Sequence, residues 1–214
     1  MKKHILVVIT SILTAVHIYS SDSLLQAFYD NNLVHQNGSF TFKSGRTCSN
    51  YIDMRSIISS PNLLKKITHK IYDAVEHISY DRVCGVPYGA LPVATATSLV
   101  SNKPMILLRH ATKNHGLQKQ IEGQYKEGDR VLLIEDVITT GSSILESIEA
   151  LKKHNLIVND IVVVLDRQEG GVDRLKELGY RIHPVYTLSE VLSYAPTSKS
   201  SNKNDGWQAC KARL

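Results

Sequence analysis

"VLLIEDVITTGSS", Val131 to Ser143, is the stretch whose reading decides the fold of this chain. Four of its first five residues are aliphatic, the mark of a strand buried on both faces. Two carboxylates follow together, Glu135 and Asp136, and then small hydroxyl residues surround a single Gly141. A helix is predicted over Ile144–His154, with Ser143 and Glu146 spaced as an S-x-x-E capping box. Glu146 and Glu149 stand early in that helix and Lys152, Lys153 and His154 late, the order that the helix dipole favours. Backbone amides and hydroxyls from Thr140 to Ser143 are then placed to converge on an anion such as a phosphate. Gly141 is expected to let the backbone approach that anion, so that a side chain there would intrude. Acids beside such a cradle cannot bind the same anion. They suit the vicinal hydroxyls of a ribose, or a divalent cation. Taken alone, the stretch also reads as a capped strand and a hydrophilic turn. A P-loop is excluded, because no G-x-x-x-x-G-K-[ST] occurs.

Strand and helix patterns alternate on both sides of this stretch. "SPNLLKKITHKIYDAVEHI" places Pro61 at a helix start and an apolar stripe at Leu64, Ile67, Ile71 and Val75. "RVCGVP" and "PMILLR" read as strands, with the small-residue helix "ALPVATATSLVSN" between them. Downstream come strand "IVVVLD", turn "RQEGG", helix "VDRLKELG" and strand "RIHPVY". Continuous apolar strands alternating with helices predict an α/β fold, a parallel sheet flanked by helices on both faces. Ligands of such sheets sit at the carboxyl ends of the strands. Tyr88-Gly89, Glu135–Ser143 and Asp166-Arg167 all fall there.

The chain has 214 residues, 43% hydrophobic and 21% charged, which favours one domain. A net charge of +5 without a dense basic block argues against nucleic acid and suits an anionic small molecule. Cys48, Cys84 and Cys210 have no metal or CxxC spacing and are read as reduced thiols, Cys84 as a small buried residue. Residues 1–20 join Lys2 and Lys3 to a short apolar stretch, the shape of a signal peptide or of an extension, and too short for a confident membrane span. The chemistry below needs a cytosolic metabolite, so a cytoplasmic protein with no membrane association is expected. The domain is placed at residues 21–195, followed by a polar tail, 196–214, expected to be disordered.

The PRPP (phosphoribosyl pyrophosphate) motif of the type I phosphoribosyltransferases is what "VLLIEDVITTGSS" resembles. "FTFKSGRTCSNYIDMR", "VCGVPYGALPVAT", "RHATKNHG…EG" and "LDRQEGG" narrow the likeness to orotate phosphoribosyltransferase, especially the form that is one half of UMP synthase. It runs from about Leu24 to about Leu192. The resemblance implies a type I phosphoribosyltransferase core with a small hood, working as a homodimer with a lid loop shared between subunits. It implies a Mg²⁺-dependent reaction in which an orotate nitrogen displaces pyrophosphate from the ribose of PRPP, giving orotidine 5'-monophosphate for UMP biosynthesis. By the same carry-over, Glu135 and Asp136 take the ribose hydroxyls, with Mg²⁺ held near them mainly by PRPP. Ile138, Thr139, Thr140, Gly141, Ser142 and Ser143 take the 5-phosphate, and Val137 touches PRPP. Lys43, Tyr88, Gly89 and Arg109 also touch PRPP. Tyr51, Ile52, Thr139 and Arg167 hold the orotate, and Lys113, His115 and Asp136 are the catalytic candidates.

Elementary chemistry supports these assignments. Displacement at an anomeric carbon builds negative charge on the leaving pyrophosphate, so fixed cations and exclusion of water accelerate it. Arg109, Lys113 and His115 lie on a polar segment, Arg109–Gly123, long enough to be a lid. Lys113 or His115 alone also reads as a solvated surface residue, Lys43 as a turn residue and Arg167 as a surface ion-pair partner. The family commonly has Lys directly after the loop's Arg, where this chain has His110, a group only partly charged near neutral pH. The competing readings are a non-catalytic nucleotide-sensing module, an exported binding protein and a phosphoribosyltransferase for another base. Lys113, His115 and Arg167 speak against the first.

Overall fold

The computed structural model describes residues 23–41, 45, 47–109 and 120–196. A six-stranded sheet organises them. In chain order its strands are β5 (Arg82–Gly85), β6 (Met105–Leu108), β7 (Ile121–Glu122), β8 (Val131–Ile138), β9 (Asp160–Asp166) and β10 (Arg181–Thr187), preceded by four short hood strands. Their spatial order is β10-β9-β8-β5-β6-β7. Every neighbouring pair is parallel except β6 and β7.

Alternation along β8 shows why the sheet needs helices on both faces. Leu132 and Ile134 enter a core with α1 (Ser23–Asp30), α2 (Pro61–Val75) and α3 (Leu91–Ser101). Val131 and Leu133 enter a second core with α4 (Ser142–Lys152) and α5 (Gly171–Glu177). β9 is buried at every position, hence its unbroken aliphatic run. A final short helix, α6 (Leu188–Ser193), opens with a capping box between Thr187 and Glu190. Pro61 stands in the first turn of α2, where a missing N–H costs nothing. The buried stripe of α2 runs through Leu63, Ile67, Thr68, Ile71 and Val75, so Leu64 flanks the core and Leu63 fills it.

The hood consists of two small nested antiparallel strand pairs and a 3-10 turn. β1 (Val34–His35) pairs antiparallel with β4 (Tyr51–Ile52), and β2 (Phe40–Thr41) with β3 (Thr47–Cys48). The turn, Met54–Ser59, buries Met54 and Ile57.

Two sequence expectations need correction here. The capping box at Ser143 does not form. The helix starts two residues earlier than Ile144, at Ser142, from an N-cap at Gly141, and no side chain caps it. Gly141 has φ +77°, a conformation that places the turn before Ser143 is reached. With that start, the first turn carries no acid, while Lys152 still closes the last. Second, the polar segment Arg109–Gly123 is not one loop. β7 within it pairs with β6, and Arg109 N–H donates to Gln120 O at 2.9 Å, leaving residues 110–119 as the connection. Lys43, His110, Lys113 and His115 lie outside the described residues, as do 1–22 and 197–214.

Candidate active site

A cavity of about 370 Å³ opens at the carboxyl ends of β5, β8 and β9. It brings together Tyr88 and Gly89, Glu135, Asp136 and Val137, Thr139 and Ser143, and Arg167 from the sheet side. Tyr51 and Ile52 reach it from the hood.

Glu135 is buried and Asp136 half-buried, and the Asp136 N–H donates to Glu135 Oε1 at 3.1 Å. Burial first, and then the adjacent Asp136 carboxylate, hold the Glu135 carboxyl well above its ordinary range. Such a pair gains most from a hydroxyl donor or a cation. Gly89 is forced by the same carboxylate: a Cβ built on it would fall on the Asp136 side chain. The Pro87–Tyr88 peptide that precedes it is cis.

The loop after β8 is held by its carbonyls. Ile138 O accepts from Arg167 N–H at 3.1 Å, Thr139 O from Gly171 N–H at 3.0 Å, and Thr140 O from Arg174 Nη1 at 3.2 Å. In a planar trans peptide the N–H points opposite to the C=O, so the Thr139 N–H is directed away from Arg167, and those of Thr140 and Gly141 away from α5. That is the geometry of an anion cradle. Ile138 and Gly141 are buried beneath it, Thr140 and Ser142 are exposed, and the two hydroxyls of these last residues lie 3.1 Å apart. Gly141 plays a different part from the one its sequence implies. A Cβ there would point at Leu175 and Gly171 O, at 3.4 and 3.5 Å, and not into the loop's opening. The position requires Gly for its φ of +77°.

Arg167 is buried, and its Nε donates to Glu169 Oε1 at 2.9 Å, so it is no surface ion-pair partner. The turn carrying it is pinned by Gln168, at φ +58°, whose N–H donates to Asp166 Oδ1 and whose side-chain oxygen accepts from Ser189 N–H. On the hood, Tyr51 stacks on Phe40 with centroids 5.5 Å apart and lies 6.3 Å from His35. Desolvation, then the charge of Asp53, raises the Tyr51 phenol above its usual value, so it remains a neutral donor.

Arg109 is placed differently. It pairs with Glu122 at 2.8 Å, at the root of the β6–β7 connection, and does not line the cavity. Sequence reasoning missed Arg55, Met54 and Thr41, all of which line it, and Glu169, which orients Arg167. Arg55 and Met54 stand in the quoted "YIDMR", but the 3-10 turn that aims one inward and the other at the core leaves no periodic signal.

Comparison with known proteins converges on the same chemistry. Residues 54–179 match the phosphoribosyl transferase domain. The chain is 42% identical over 182 residues to the uridine 5'-monophosphate synthase of Bos taurus, covering 84% of this chain but only 38% of that protein. It is 39% identical over 173 residues to the orotate phosphoribosyltransferase of Methanosphaera stadtmanae, covering 81% of this chain and 97% of the relative. The structure of Mycobacterium tuberculosis H37Rv orotate phosphoribosyltransferase in complex with PRPP superposes with a TM-score of 0.65 at 27% identity, covering 79% of this chain and 96% of that one. The chain belongs to the phosphoribosyl transferase domain family and, within it, to the orotate phosphoribosyltransferases.

Proposed function

We propose that the chain transfers the 5-phosphoribosyl group of PRPP to orotate, releasing pyrophosphate and giving orotidine 5'-monophosphate, a step of UMP biosynthesis. One observation carries the reading: a carboxylate pair, Thr139 and Ser143 of the β8–α4 loop and a buried guanidinium line a single cavity. In this reading Glu135 and Asp136 accept hydrogen bonds from the ribose hydroxyls, and the loop Ile138–Ser143 holds the 5-phosphate. Tyr51 and Ile52 cover the pyrimidine. Arg167, fixed by Glu169, supplies the planar fork that suits the orotate carboxylate.

The residues present fit a Mg²⁺ ion. Among the described residues no three His, Cys, Asp or Glu side chains form a metal cage. Mg²⁺ is commonly bound through one or two carboxylates and the substrate's phosphates, which Glu135 and Asp136 beside PRPP would provide. When bound, it would neutralise charge on the pyrophosphate. The chain's own contribution is positional: the sugar is gripped at its hydroxyls and its phosphate, and the base is held over it by Tyr51 and Arg167.

Lys113 and His115, beside Lys43 and Arg109, would supply cations or donors to the departing pyrophosphate. Residues 110–119 lie between β6 and β7, the strands at one edge of the sheet, and Arg109 pairs with Glu122 and does not line its own cavity, which supports a lid completing the site of a second subunit. The outer face of α3 supports a homodimer: Leu99 is 79% exposed beside Val100. Among the described residues no helix is long and apolar enough to cross a membrane, and a cytoplasmic location accords with the substrates.

The test follows the ultraviolet absorbance of orotate on adding PRPP and Mg²⁺, with adenine, hypoxanthine and uracil as alternative bases. Orotate alone is expected to be consumed. No change with orotate, or faster consumption of another base, contradicts the proposal.

A further inference from the structure

Arg55 lines the cavity from the 3-10 turn of the hood, whose Met54 and Ile57 anchor it in the core with 3% and 1% exposure. Among the described residues it has no carboxylate within ion-pair distance, unlike Arg167 with Glu169 and Arg109 with Glu122. It stands one turn of chain from Tyr51, the ring assigned to cover the base, on the hood side, whereas Arg167 comes from the sheet side. The cradle for the 5-phosphate is built by the β8–α4 loop and α5, elements that do not include Arg55. Its charge reaches the Glu135 carboxyl without an ion pair forming, so this exposed guanidinium at a polar cavity is available to an anionic ligand at little desolvation cost.

We infer that Arg55 is a specificity-determining residue for the base: with Arg167 it brackets the ring over Tyr51 and favours a carboxylate-bearing, anionic pyrimidine over neutral bases. This rests on the orotate reading given above. The field at Tyr51 agrees, since the charges of both Arg55 and Arg167 act on its phenol, opposing those of Asp53 and Asp136. Arg167 is committed to one orientation by Glu169.

Steady-state kinetics of wild type, Arg55→Met and Arg55→Lys, with orotate and PRPP varied separately, test it. Loss of one charged contact to the base is expected to raise KM for orotate by roughly ten- to a hundred-fold. The kcat and KM for PRPP should stay within a few-fold, and Arg55→Lys should recover much of the loss. The preference for orotate over uracil in kcat/KM should fall by the same factor, because uracil has no carboxylate to lose. Thermal unfolding of Arg55→Met should match wild type, since the side chain is exposed. An unchanged KM for orotate, or a rise confined to KM for PRPP, would overturn the assignment while leaving the transferase intact. A wild-type protein that consumes no orotate would overturn both readings.

Discussion

Gly141 and Gly171 meet across the loop assigned to the 5-phosphate, and each is glycine for a separate reason. Gly141 needs a left-handed φ, which for another residue costs roughly 1–2 kcal/mol. Gly141→Ala should lower stability by about that amount in chemical denaturation, and Gly141→Val by more, because a β-branched side chain adds strain. Gly171 has an ordinary φ, but its Cβ would meet Thr139 O at 2.5 Å and Ile138 Cγ1 at 2.8 Å. Gly171→Ala should therefore displace the loop itself and raise KM for PRPP, on the order of tenfold. An unchanged KM would separate this loop from the phosphate. Cys84 gives a chemical counterpart. Burial in β5 pushes its thiol up to about 12, so it should resist alkylation at neutral pH until the protein unfolds, which peptide mapping after iodoacetamide treatment would show. The sequence carried the identities of these residues but not their geometry. Glycine between hydroxyl residues is compatible with close approach to an anion or with a positive φ, and only the backbone separates the two.

At the scale of elements, β8 and β9 were legible because strands buried on both faces keep continuous aliphatic runs, whereas β10, at the edge of the sheet, buries only Ile182 and Tyr186. The hood was not, since two-residue strands and a 3-10 turn are too short to show a period. β7 was hidden for the same reason inside the polar segment after Arg109. The register of β9 and β10 is fastened by Asp160, which accepts from Arg181 Nη2 and Nε and lies 3.0 Å from His183 Nε2. Burial raises the Asp160 carboxyl, but the hydrogen bonds from Arg181 and then His183 outweigh it, and the net position is below the ordinary value. A carboxyl lowered on folding stabilises the protein above its unfolded pKa, near 4, and that contribution is lost as pH falls through the folded value. Asp160→Asn should cost about 1–2 kcal/mol at neutral pH, a modest figure because Arg181 is mostly solvent-exposed. The deficit relative to wild type should shrink in acid, as measured by urea denaturation between neutral pH and pH 3. The lid carries its own expectation. Lys113→Ala should lower kcat by roughly 10²–10³ with little change in PRPP affinity, because the negative charge it meets grows only as pyrophosphate leaves.

On the scale of the whole molecule, the amino end of the fold begins with α1, whose Phe28 is fully buried and whose Leu24 and Leu25 join the same core. A chain starting at Ser21 keeps that helix and should fold and retain activity. One starting after Asp30 should lose several kcal/mol, the cost of emptying three buried positions, and fail to express in soluble form. Mixing Lys113→Ala with Asp136→Asn chains should restore partial activity if lid and carboxylates of one site come from different subunits. Unrestored activity in confirmed heterodimers would confine each site to one chain. The kinetic predictions for Gly171, Lys113 and Asp136 share one premise, that the cavity at the carboxyl edge of the sheet moves the phosphoribosyl group of PRPP from pyrophosphate to orotate. Phosphorus NMR of wild-type protein with PRPP, Mg²⁺ and orotate observes that transfer directly. The account predicts that PRPP signals are replaced by pyrophosphate and one new phosphomonoester in equal amounts, only while orotate is present. PRPP left intact beside orotate, or consumed with a purine instead, would contradict it.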